Sequence, residues 1–223
     1  MPYLQRGALI EYGSDFLGPL PNAVIFQFNP ESLTRTIQIP PRPTGTGSRE
    51  TSQAGDEPVE AISLTAHFSA ADDLGNGDPL ARLFGIGPRL AALEKMVYPA
   101  GRLSGLIAKA VDAIGDAIFG GDDVAESQPI PREQYPRVLF IWGLTRVLPV
   151  IITSMTINEQ EYDPLLNPVR AEVSLGLSVI TIGPCSEDEI ARGALEYSNL
   201  AKDAQAVSNL ANSAAQVVDL IPF

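Results

Sequence analysis

The side chains able to do chemistry are few and scattered. His67 is the single histidine, on the polar side of an alternating stretch with Ser63, Thr65 and Ser69. A serine-type hydrolase needs a positioned nucleophile and a third group that orients the base. The chain has no Gly-x-Ser-x-Gly elbow, so His67 reads as a solvated or interface histidine. Carboxylates pair at Asp72-Asp73, Asp122-Asp123 and Glu159/Glu161. Two carboxylates can cleave a glycoside or hold a hard cation. Here the Asp pairs fall in what read as Gly-containing loops, Glu159 and Glu161 share one side of a strand, and 27 acids make such pairs ordinary. Gly45-Thr46-Gly47 and Gly85-Ile86-Gly87 continue to neither a Lys-Ser/Thr nor a third glycine, which a phosphate cradle requires. Cys185 precedes Ser186 at a helix start, a setting that can lower a thiol pKa, yet it is the one Cys. These residues imply no catalytic group, no metal and no cofactor.

Composition narrows the classes further. The 223 residues are 45% apolar, with a formal net charge of −12 and a pI near 4.4. That is core enough for one large domain, or for one domain with an appendage. An acidic chain repels phosphate backbones, which argues against nucleic acid as a partner. There is no uninterrupted apolar run of about 18 residues and no basic-then-apolar leader. The expectation is a cytoplasmic chain with no membrane contact of its own.

Periodicity places the elements. Residues 7–12, Ala23–Phe28 and Thr34–Ile39 read as strands, the last two joined by a short turn around Pro30–Leu33. Pro40–Pro58 is rich in Pro, Gly and small polar residues and reads as a long exposed loop. In Val59–Ser69, Ile62, Leu64, Ala66 and Phe68 alternate with polar residues, the mark of a half-buried antiparallel strand. A helical insertion spans 79–119: Asp78-Pro79 caps its first turn, a second helix runs Pro88–Val97, and Leu103–Phe119 carries one apolar stripe. Strands return at Arg137–Trp142, Val147–Ile157 and Val169–Ile180, with the last turn in Asp163–Pro168.

From Ser186, paired with Glu189 as a capping box, the chain reads as helical nearly to its end, within a C-terminal extension over residues 184–223. Gly193, Tyr197, Leu200, Ala204, Val207, Ala211, Ala214 and Val218 recur at alternating spacings of four and three, a heptad-like seam for another copy or another protein. The fold class is mainly β (α+β): a domain over 1–183 and a C-terminal helical extension.

Three stretches, taken together, resemble a known family. They are Phe26-Gln27-Phe28-Asn29-Pro30-Glu31-Ser32-Leu33, Tyr135-Pro136-Arg137-Val138-Leu139-Phe140-Ile141-Trp142-Gly143 and Asn167-Pro168-Val169-Arg170-Ala171-Glu172-Val173. In this order and approximate spacing, over residues 20–182, they resemble the tube-protein/adaptor family of contractile injection systems, which are phage-tail-like particles. The resemblance implies a tail-tube-like antiparallel β-sandwich or barrel whose copies close into a ring, a hexamer. It implies a place at the baseplate between the spike complex and the inner tube, where the chain would start tube assembly. The partners implied are further copies, the inner tube protein, the spike or hub protein and other baseplate subunits. A repeated inner-tube subunit or a tube-end cap is the alternative, and a particle-borne cell-wall hydrolase a more distant one. The carried-over residues are structural: Asn29-Pro30 shaping the first turn, Arg170 bridging strands or subunits. Many members carry a LysM module; nothing after Ile182 resembles one.

Overall fold

The computed structural model describes residues 5–12, 22–40, 57–98, 136–183 and 186–220. Seven strands build one sheet: β1 (Ala8–Tyr12), β2 (Ala23–Ile25), β3 (Leu33–Gln38), β4 (Val59–Ser69), β5 (Arg137–Trp142), β6 (Arg146–Tyr162) and β7 (Pro168–Val179). Every pairing is antiparallel and the order is β2-β1-β5-β6-β7-β4-β3. Helices α1 (Ala71–Gly75), α2 (Pro79–Phe84) and α3 (Gly87–Lys95) lie between β4 and β5 in the chain, and α4 (Glu189–Leu220) follows β7. The fold is mixed α+β and mostly β. The helix read at Leu103–Phe119 and residues 41–56 of the long loop lie outside the described residues.

Alternation builds the core. Ile62, Leu64, Ala66 and Phe68 of β4 stand opposite Leu177, Leu175, Val173 and Ala171 of β7 on one side of the sheet, all nearly or fully buried. Leu9, Val138, Phe140, Leu148 and Val150 supply the same side of β1, β5 and β6, and Ile86, Leu90, Leu93 and Met96 from the α3 region join the cluster. Burying a side chain of this size stabilises by about 1.5–3 kcal/mol.

The turn expected between Pro30 and Leu33 does not pair its flanking strands. β2 and β3 are the two outer strands of the sheet. Flat, seven strands at ~4.8 Å spacing would hold their outer members about 29 Å apart. Ile25 to Leu33 reaches at most about 28 Å fully extended, and the chain bends at Gln27–Phe28. The sheet is therefore curled, its two edges drawn toward each other. Contacts agree: just beyond β2, the Gln27 side chain accepts a hydrogen bond from Ser69 N–H at the end of β4 (2.8 Å) and one from Arg89 (3.1 Å). A period-two pattern marks strands but not their neighbours, so the short link between β2 and β3 does not make them partners.

Of the two caps read from the sequence, one differs. Asp78 caps α2 as read, accepting from Leu80 N–H at 2.8 Å. At α4, however, Asp188 accepts from Ala191 N–H (3.0 Å), while Ser186 accepts only from Asp188 N–H (3.2 Å). The cap is Asp188 because it stands three residues before the amide it serves. Asp72 and Asp73, read as loop residues, lie on α1, where Asp73 pairs with Arg89 at 2.8 Å.

Candidate functional site

The two sides of the curled sheet are finished differently. The outward side of β3, β4, β7 and β6 carries small hydroxyls in register: Thr34 beside Ser63, Ser63 beside Gly176, Gly176 beside Ser154, and Thr65–Ser174–Thr156 in the adjoining row. They line a shallow groove of about 340 Å³, and Thr65 and Ser174 hydroxyls lie 3.2 Å apart. Gly176 keeps it open: a Cβ there would meet Ser154 Oγ at 2.4 Å, beside the register shift between Ile152 and Ser154. The next rows toward the α1 end place His67 beside Glu172 and Asn158, then Ser69 beside Arg170 and Gln160. His67 is exposed on this outer side, directly opposite Glu172. Among the described residues no three of His, Cys, Asp and Glu come together.

Asn29 works as a backbone clamp. Its side chain accepts from Gly7 N–H (3.1 Å) and donates to Gln5 C=O (2.8 Å), tying the β2–β3 crossing to the start of β1, while Pro30 is buried behind it. Gly7 has no room for a Cβ, which would stand 2.7 Å from Phe26 and Trp142. Arg170 reaches across to Glu161 on β6 at 3.5 Å, both exposed, so it bridges strands through a contact worth little in water.

Helix α4 meets the domain mainly through residues beside the seam. Ala191 and Ala194 are buried, Leu195 packs on the core, and Ser198 is fully buried. The Ser198 hydroxyl accepts from Val147 N–H (2.9 Å) and donates to Val147 C=O (2.7 Å). β7 pairs with β6 only from Val150 onward, so one side chain satisfies the strand groups that β7 leaves open. Three further ties hold this stretch. Asp188 accepts from Tyr12 (2.9 Å) and Arg137 (3.3 Å), Tyr197 donates to Leu144 C=O, and Lys202 lies 3.8 Å from Glu60. Burial, then the hydrogen bond and charge of Asp188, push the Tyr12 phenol up. Burial works to raise Asp188, but Ala191 N–H, Tyr12 and Arg137 outweigh it and hold the carboxyl below its usual range. Burial likewise opposes ionisation of Glu60, and Arg35 at 2.6 Å, with Lys202 and Arg146, overcomes it.

The seam side chains are left largely in water, although the Tyr197 hydroxyl reaches Leu144 C=O. Tyr197, Leu200, Ala204 and Val207 are exposed; nothing is described of the Ala211 side chain. Ala191, Ala194 and Ser198 dock on the chain's own domain, a shorter stripe beside the 4-3 seam, which reads as a surface for another copy or another protein. The stripe's signal was weak: small residues near a cap, with a serine among them. Sequence reading also missed Glu11, buried on the inner side of β1 and bonded to Asn22 at 3.1 Å. No candidate membrane-spanning helix occurs among the described residues. Compared with known proteins, the chain matches no family model and no curated protein.

Proposed function

We propose that this chain is a structural ring subunit of a contractile injection system baseplate, linking the spike complex to the inner tube and starting tube assembly. The observation that carries the reading is the edge of the sheet. β3 pairs only with β4 among the described strands. A strand with one side unpaired offers its donors and acceptors to another chain, and a repeated rotation of such contacts closes a ring. Copies joined this way would form a tail-tube-like sandwich or barrel wall, six around the ring as the family resemblance implies. The hydroxyl-lined face would then look onto the passage, where small neutral groups adhere weakly to whatever moves through. With −12 per chain, contact with the tube, spike or hub subunits calls for a basic or cation-screened surface on the partner.

A reconstruction of assembled particles tests this. The expected result is one ring of this chain at the spike–tube junction. Many rings along the tube would assign the chain to the repeated inner tube instead, and its absence from particles would overturn the proposal.

A further inference from the structure

The end of the sheet opposite the base of α4 carries an apolar pad. Leu80, Leu83 and Phe84 of α2 and Leu165 and Leu166 of the β6–β7 turn are each more than half exposed. The two segments are locked together. Asn167 donates to Leu83 C=O (3.0 Å), Ile86 N–H donates to Pro168 C=O (2.9 Å), and Gly85, at φ +58°, lies so close to Pro168 O that a Cβ would stand 2.1 Å from it. Asp163 holds the turn, accepting from Leu165 N–H, Asn167 N–H and Asn167 Nδ2, each at 2.8 Å. At its centre Leu166 has φ +63° and is 79% exposed. Gly or Asn would fit that backbone without strain. A strained, large apolar residue turned to water on a rigid mount gains nothing for its own fold, and such outliers point to function.

We propose that this pad receives the outer half of α4 from a second copy, in a head-to-tail contact. Three observations select that occupant. Lys202–Leu210 of α4 are all exposed, with Val207 and Leu210 among the large apolar side chains left in water. From Ala204 to Val218 the helix carries no charged residue, in a chain of net charge −12. Two acidic copies repel unless they meet where charge is absent, and the five pad residues are likewise uncharged. The positions also match: the pad adjoins Pro168 at the start of β7, and Ser198 fills the ladder beyond the other end of β7. Pad and helix base are separated by the length of that strand, roughly 36 Å, so the contact runs from one copy to the next. The uncharged stretch is about 22 Å long. It covers less than the ~800 Å² per partner of a standard interface, so the association is reversible, and each copy can engage twice.

Sedimentation equilibrium of the purified full chain tests the contact, independently of any particle. The wild type is expected to associate with rising concentration. Leu166→Asn, which relieves the backbone, and Val207→Asp, on the exposed helix, are each expected to raise the midpoint concentration at least about tenfold, with thermal unfolding showing both folded. Mixed one to one, they are expected to form heterodimers and nothing larger, since only one sound pad and one sound helix can meet. A wild type monomeric at all concentrations, a variant that associates like wild type, or a mixture without heterodimers would overturn the proposal. A monomeric wild type would assign the pad to a different molecule while leaving the ring reading to its own particle test.

Discussion

The two stretches of α4 are made of similar residues yet meet opposite fates. From Asp188 to Lys202 the helix is tied down by a cap, a tyrosine, a serine and a lysine, with alanines allowing close approach. From Asp203 to Leu210 every described residue is exposed, including Val207 and Leu210. Apolar content does not separate them. What does is whether the domain offers partners for the polar groups along the path: β6 does at Val147, β4 does at Glu60, and beyond Lys202 the domain offers none that the described residues reveal. A helix stays on a sheet where its polar groups complete the sheet's own hydrogen bonding.

That contrast can be broken by placing one charge in each stretch. Ala191→Asp buries a carboxylate and should destabilise by about 3 kcal/mol or more, whereas Val207→Asp should change stability by about 0.5 kcal/mol or less. Denaturant melts of the two variants check this, and equal effects would erase the distinction. Ser198→Ala is the next largest: it strands the amide and carbonyl of Val147 and should cost about 1–3 kcal/mol. Hydrogen exchange should show the loss as faster opening in the docked stretch and around Val147, with the Asp203–Leu210 stretch unchanged.

Acid should give the smallest, graded effect. Asp188 and Glu60 both have folded-state values below their ordinary ones, so their stabilisation is complete above the unfolded carboxylate range, about pH 4. It is lost as pH falls through the lower folded-state values. Limited proteolysis across that window should release α4 as pH drops, and Asp188→Asn should flatten the dependence. A pH-independent release pattern would show that small-residue packing alone holds the helix.

Features carried by neighbouring residues were legible beforehand. The alternation in β4 and β7, the Asp163–Pro168 turn and the Asp78 cap depend on contacts a few residues apart. The capping box at Ser186 failed because Asp188, two positions on, competes for the same amides. The candidate surfaces were harder to see. Pro168 abutting Gly85, Gln27 reaching Ser69 and Ser198 completing β6 join residues far apart in the chain, and nothing local to Ser198 distinguishes it from the other serines of α4.

The amino-acid order by itself determined which segments are strands, which of their sides are apolar, and that few groups able to react are present, because period and composition are properties of short windows. Tertiary structure alone decided that β2 and β3 become opposite edges of one curled sheet, that α4 meets its own domain through Ala191, Ala194 and Ser198, and that two segments carrying five exposed apolar side chains are hydrogen-bonded together. Those outcomes follow from satisfying backbone donors and acceptors across the whole sheet at once, a condition that no single segment encodes.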